Sequence, residues 1–300
     1  MSRFTKVILG LVFIFSLIST AAIAADQPKG NALAENPMAF LNDNTPLVPT
    51  KVFDNLYCIG SKSVVAWALT TSEGIILIDS MWDNRDAQLI IDGMEKLGLN
   101  PAEIKYIILT HGHGDHYGGA QFIKDKYKAK ILMTEVDYRF MNASNIVGKY
   151  SGHSPINCTI DIPVKDGQKI KLGDTTVTIV ETPGHTPGCI SLIYPVKQEG
   201  KTYMVGQWGG SGLPGDTEAK KAYRKSIDHF EQYTKANHVN VVVTAHLFTN
   251  DGYANLEATR NRKPGDTNPF FVGEDGFSNY LSDLCQSIEK AIKEQEQKGK

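Results

Sequence analysis

A chain of 300 residues, 41% hydrophobic and 9% aromatic, can bury a sizeable core, which excludes a mostly disordered protein. Its formal charge of −2 provides no general attraction to nucleic acid or anionic lipid. Four widely spaced cysteines, Cys58, Cys158, Cys189 and Cys285, form no Cys-x-x-Cys pair, which argues against a thiolate zinc site or a redox dithiol.

Residues 1–24 read as a secretory signal peptide. Arg3 and Lys6 precede the apolar run "VILGLVFIFSLIST", and "AAIAA" offers small residues for cleavage after Ala24 or Ala25. The alternative, an uncleaved anchor, is disfavoured by the shortness of the run. Cleavage removes two of 31 basic residues and none of 33 acidic ones, leaving a net charge of −4. The expected mature protein is exported to the periplasm or secreted and acts on a small molecule. It binds no nucleic acid and has no stable membrane association, and its oligomeric state is open. An oxidising compartment permits three complete pairings of the four cysteines, and equally permits buried free thiols.

Residues 25–50 are polar and proline-dotted, an irregular arm, and the fold proper is expected over 51–300. The runs "NLYCIGS", "SVVAWALTT" and "GIILIDS" predict an antiparallel meander. A helix over 84–97 follows, with Leu89, Ile90, Met94 and Leu97 on one face, then the buried strand "KYIILT". A helix from about Asp115 to Tyr127, strand "AKILMT" and a helix near 135–145 come next. "QKIKLGDTTVTIVETPG" reads as two strands about a Gly-Asp turn. Strands "CISLIYPV" and "KTYMVGQ", a helix over 216–236, strand "VNVVVTAH" and helices near 252–262 and 275–296 complete the chain. This order predicts a mixed α/β (α+β) domain of two facing sheets with helices outside.

Chemistry concentrates in "THGHGDHYGG", residues 110–119. In a regular strand His111 and His113 would share a face but stand about 7 Å apart. Gly112 and Gly114 permit unusual dihedrals that let both imidazoles turn inward. Asp115 can cap the following helix or bind metal, with His116 beside it. Three histidines and a carboxylate suit zinc best, although iron and manganese accept the same donors. His185 in "ETPGHTPG" and His246 in "NVVVTAH" also stand at strand ends. His153, His229 and His238 lack such placement and read as solvated.

With these residues in view, the chain over residues 51–300 resembles the metallo-β-lactamase superfamily, whose fold is an αββα sandwich with metals at the sheet edges. The resemblance implies that His111, His113 and His185 hold one zinc ion, and Asp115, His116 and His246 a second. At the end of the strand before His246, where many members place a bridging aspartate and one β-lactamase subclass a cysteine, this chain has Gln207 in "YMVGQWGG". Five histidines and one aspartate without either group look like subclass B3, as does the tail "KPGDTNPFFVGEDGFSNYLSDL". Subclass B3 enzymes commonly carry serines where this chain reads "QWGGSG", and Ser211 either replaces them or occupies a turn.

The implied activity is hydrolysis of the β-lactam amide. Two zinc ions lower the pKa of a shared water to about 7, so that a bound hydroxide attacks. Asp115 has two possible roles, ligand and proton shuttle, of which the first is preferred. Asp79 is expected either to orient a liganding imidazole or to cap the next helix. Tyr117 and Trp208 are candidate pocket walls, and Gln207 and Ser211 candidate substrate contacts. Rival readings are a lactonase or other ester hydrolase, an iron-dependent sulfur dioxygenase and a non-catalytic metal-binding protein.

Overall fold

The computed structural model describes residues 39–143 and 153–298, so the expected signal peptide and most of the expected arm lie outside the described residues. The described end of the arm begins with a 3-10 turn over Ala39–Asn42 and is tied down, with Ser63 Oγ donating to Leu41 O at 2.8 Å and Leu47 N to Gly60 O at 2.8 Å.

The first sheet runs in the order of its sequence, β1 (Thr50–Phe53), β2 (Leu56–Gly60), β3 (Val65–Thr71), β4 (Gly74–Ile78), β5 (Ile104–Ile108), β6 (Lys130–Thr134) and β7 (Ile162–Val164). Pairing is antiparallel as far as β4 and parallel beyond it. The switch follows from the connections, since hairpins join the early strands while α1 (Asn84–Lys96) and α3 (Ala120–Tyr127) cross over between the later ones. The second sheet is ordered β12 (Val241–Val243), β11 (Lys201–Gln207), β10 (Ile190–Gln198), β9 (Thr175–Glu181) and β8 (Lys169–Leu172). The sequence reading missed β1 and β7, both too short for a period of two to show.

Alternation along β3 explains the layers. Val65, Trp67 and Leu69 join Leu192, Tyr194 and Val205 in the core between the sheets, while Ala66 and Ala68 face the opposite way with Trp82, Ile90 and Ile123. A third cluster, including Ile193, Tyr223, Phe230 and Phe277, lies under α5 (Thr217–Ala236) and α7 (Gly273–Lys298), between which the chain forms the short helix α6 (Gly252–Asn261). Helices therefore cover the outer faces of two packed sheets, as the sequence predicted. Among the described helices none is long and apolar enough to cross a membrane.

Three local expectations change. The single helix over 115–127 is two, α2 (Gly114–Tyr117) and α3, broken where Gly118 lies against the carbonyl of Trp82. His153 is buried rather than solvated: its ring stacks on Trp82 at 4.6 Å, with Nδ1 3.4 Å from Asp83 Oδ2 and Nε2 3.0 Å from Asn44 Oδ1. His229 and His238 keep the reading of surface residues, paired with Asp166 and Glu274. All four cysteines are free, three of them buried.

A candidate two-metal centre at the sheet edge

Strands β4 and β5 are parallel, and so are β11 and β12, with β9 running the same way as the latter pair across antiparallel β10. The segments following β4, β5, β9 and β12 carry Asp79, the cluster from His111 to His116, His185 and His246 respectively. Loops at the carboxyl ends of strands supply the site, and the rigid sheets position them.

These segments bring the donors together as two adjacent groups. Ligand atoms of His111, His113 and His185 lie within 4.8 Å of one another, and so do those of Asp115, His116 and His246. His111 and His116, one from each group, have ring centroids only 3.9 Å apart. The way His111 and His113 turn inward differs from expectation. Neither Gly112 nor Gly114 has a positive φ. Instead a Cβ on Gly112 would meet Asp137 O at 2.9 Å, and one on Gly114 would meet Pro155 at 2.7 Å, so close packing is what demands glycine.

Hydrogen bonds fix which ring nitrogen faces the centre. Nδ1 of His185 donates to Gly212 O at 2.6 Å and Nδ1 of His246 to Ser63 O at 2.9 Å, leaving each Nε2 as a lone-pair donor. Nδ1 of His116 lies 2.8 Å from Asp79 Oδ2. Nδ1 of His111 lies 3.0 Å from the Thr110 hydroxyl, which itself donates to Asp79 at 3.0 Å. His113 is the exception, presenting Nδ1, 3.0 Å from His185 Nε2. Asp79 thus orients imidazoles, as one of its two expected roles had it, and Asp83 takes the other by capping α1 through Arg85 N and Asp86 N.

The donor set fits metal. Nε2 of His111 is buried with no hydrogen-bond partner, and Nε2 of His116 has only Asp115 Oδ2 beside it at 3.4 Å, a costly arrangement for a chain without a cation there. Burial holds the pKa of His113 down to about 4 and that of His185 to about 3, so both imidazoles are neutral at pH 7, the form that can donate a lone pair to a metal. His116 differs: burial opposes its charge, but the carboxylates of Asp115 and Asp79 raise it to about 10. Asp115 sits with Oδ2 3.4 Å from both His116 Nε2 and His246 Nε2. Burial opposes its ionisation too, yet these imidazoles hold it well below the usual carboxylate range.

Other predicted site residues fall elsewhere. Tyr117 belongs to the outer cluster with Trp82 and donates to Asn157 Oδ1 at 3.2 Å. Trp208 packs under α5, its Nε1 donating to Gly210 O at 2.8 Å and Tyr223 OH at 2.9 Å. Gln207 is fully buried and accepts from Tyr194 OH at 3.0 Å, while its Nε2 has no hydrogen-bond partner among the described residues. Ser211 is half-buried between Gly210 and Gly212, two glycines laid against the His185 ring. Residues that the sequence reading missed are Thr110, Ser63 and Asp137. Asp137 accepts from Gly112 N at 2.8 Å, Gly188 N at 2.6 Å and Thr186 Oγ1 at 2.5 Å, tying the His111–His113 turn to the His185 turn.

An αββα sandwich with two adjoining His/Asp groups at one edge defines a metal-binding fold of a particular kind. Residues 59–236 match the family model described as Metallo-beta-lactamase superfamily, and the chain belongs to that superfamily. Its structure is similar to that of BJP-1, a subclass B3 metallo-β-lactamase of Bradyrhizobium japonicum, with 28% identity, a TM-score of 0.73 and coverage of 86% of this chain and 98% of that one. An N-acyl homoserine lactonase AttM of Rhizobium radiobacter is 26% identical over 209 residues, 60% of this chain and 72% of that protein. A hydroxyacylglutathione hydrolase of Rhodopseudomonas palustris is 30% identical over 112 residues, 37% of this chain and 36% of its own length, so the chain spans little more than a third of that relative.

Proposed function

We propose that this chain is an exported, dizinc-dependent hydrolase of the subclass B3 type that opens the β-lactam amide. The observation that carries the reading is the pair of three-donor groups, five histidines and one aspartate, completed without an acid or thiol at the end of β11. Similarity to BJP-1 over nearly its full length supports the subclass. Export rests on the charge and apolar pattern of residues 1–24.

His111, His113 and His185 would hold the first metal, and Asp115, His116 and His246 the second. Bound zinc supplies Lewis acidity toward a carbonyl oxygen and lowers the pKa of a bound water toward neutrality. The chain's own residues prepare the site for this. Asp115 stays ionised at neutral pH, which suits a ligand and not a proton donor. Asp79 fixes His116 directly and His111 through Thr110, while Gly212 O and Ser63 O fix His185 and His246. Burial of His111 and Asp115, 1% and 4% exposed, keeps bulk water from competing for the donors.

A substrate panel on zinc-loaded mature protein tests the reading. Opening of a chromogenic cephalosporin with two zinc ions per chain supports it, and one iron with oxygen uptake sinks it. The AttM similarity favours a second reading, lactone hydrolysis, which the same panel identifies if acyl-lactones are opened and cephalosporins left intact. His116→Ala should weaken the second zinc selectively. Loss of both metals together contradicts the assignment of two ligand sets.

A further inference from the structure

Beside His185 a groove of about 760 Å³ opens, within the range of small-molecule sites. Its apolar lining comes from Phe140, Pro183, Pro187, Pro214, Ala219 and Ala222. Ala219 and Ala222 are half-buried, one turn apart on α5. Two carboxylates complete the lining, Asp216 and Glu218, both exposed at the start of that helix. Among the described residues no lysine or arginine lines it. The nearest cations on α5 lie at its rim: Lys220 Nζ donates to Gly215 O at 3.0 Å and also to Gln295, and Lys221 pairs with Glu218 at 2.8 Å across an exposed contact that offsets part of its charge, whereas Asp216 has no ion-pair partner among the described residues. Asp216 caps the helix by accepting from Ala219 N at 2.8 Å.

His185, a donor of the first metal group, also lines this groove, so a group carried by a substrate held at that centre can extend along it. The prolines, alanines and phenylalanine favour an apolar body there. Beyond that body the charged side chains of the described lining are both carboxylates, Asp216 without an ion-pair partner among the described residues and Glu218 partly offset by Lys221.

We propose that the groove selects the side chain of the substrate: an apolar, preferably aromatic group whose far end is neutral or cationic, with Asp216 and Glu218 as residues that reject an anionic end. This rests on the reading of the centre as a metal-dependent hydrolase. It adds a substrate class to that reading, namely acyl compounds carrying such a side chain.

Three benzyl thiols, para-methyl, para-aminomethyl and para-carboxy, test the groove by calorimetry on the zinc-loaded full chain, with 2-mercaptoethanol as a probe of the metal centre alone. The carboxy compound should bind on the order of tenfold more weakly than the aminomethyl compound at low salt, as one unpaired carboxylate several ångströms away would produce between a cation and an anion in water. The gap should shrink in 0.5 M salt. It should also close in the double variant Asp216→Asn, Glu218→Gln, which preserves the helix cap. Ala222→Trp, filling the groove from a half-buried helix face, should weaken all three aryl thiols at least tenfold and leave 2-mercaptoethanol unchanged. Equal affinity of the three aryl thiols, preference for the carboxy compound, or indifference to Ala222→Trp overturns the proposal while leaving the hydrolase reading intact. Failure of 2-mercaptoethanol itself to bind overturns both. A hydrolysis series of cephalosporins with matching neutral, cationic and anionic acyl groups should rank in the same order in kcat/KM.

Discussion

Asp79 Oδ2 lies 2.8 Å from Nδ1 of His116, and the same carboxylate reaches Nδ1 of His111 through the hydroxyl of Thr110. One buried anion therefore orients a donor of each metal group. Asp79→Asn should lower zinc affinity at both groups by about 10–100-fold, the usual effect of losing such a support. Competition with a chromophoric chelator measures it, and unchanged affinity would show the contact to be incidental. Asp79 also has a φ of 59°, a conformation that asparagine tolerates and alanine does not. Asp79→Ala should accordingly lose about 1 kcal/mol more stability than Asp79→Asn in a denaturant melt of the metal-free protein.

Thr110→Val separates the two branches. Valine keeps the shape of threonine and deletes only the hydroxyl, so His111 loses its partner while His116 keeps the bond to Asp79. Zinc titration should show the first group weakened and the second close to wild type. Equal weakening of both would mean that the two groups bind as one unit.

Asp137 ties together two turns that carry donors of the first metal group and belongs to neither group itself. Its carboxylate is fully buried and takes two backbone amides and one hydroxyl. Asp137→Ala leaves these donors buried and unpaired, which should cost about 3 kcal/mol. For a domain of this size that lowers Tm by roughly 6–12 °C, readable by circular dichroism. A loss of metal with Tm unchanged would contradict a structural tie.

Which of these residues the sequence could reveal depends on how far apart along the chain their partners lie. His111, His113, Asp115 and His116 stand within six residues, and His185 and His246 each follow an apolar strand, so spacing and strand ends were enough to find all six. The same strand signals gave the two sheets, because β3, β5 and β10 are long enough to show their pattern. Asp137 was hidden because it lies in α4 (Glu135–Ala143) and its partners Gly112 and Gly188 lie 25 and 51 residues away. Trp208 misled for a related reason. Next to a strand end, only the packing of α5 decides whether its ring turns toward the site or away from it. Gln207 follows the inward register of Val205, and no local pattern tells a buried strand end from an exposed one.

Cysteine chemistry offers a check that needs neither metal nor substrate. Cys58, Cys158 and Cys189 are buried, and burial pushes each thiol up, Cys158 to about 12. Only half-buried Cys285 meets solvent appreciably. A disulfide-exchange reagent at pH 8 should titrate one thiol in the native protein and four after unfolding. Raising the pH toward 9 should speed the reaction of Cys285 as its thiolate fraction grows, while the buried three stay silent. Fewer than four thiols in the unfolded protein would instead reveal a disulfide.

The glycines of "WGGSG" make the last prediction. A Cβ on Gly210 would lie 2.4 Å from Cβ of His185 and 2.5 Å from its ring, whereas one on Gly215 would meet nothing within 4 Å. Gly212 completes the cradle by accepting from His185 Nδ1. Gly210→Ala must therefore push His185 out of line or shift the loop, with an overpacking cost of about 1–3 kcal/mol. Zinc affinity at the first group should fall at least tenfold, with the second group less affected. Gly215→Ala, in the same loop, should stay within about 0.5 kcal/mol of wild type and keep both metals. If Gly210→Ala instead binds zinc normally but changes the substrate range, the loop serves recognition and not the ligand. Normal zinc binding together with an unchanged range would mean that the loop yields to the added methyl without consequence for His185.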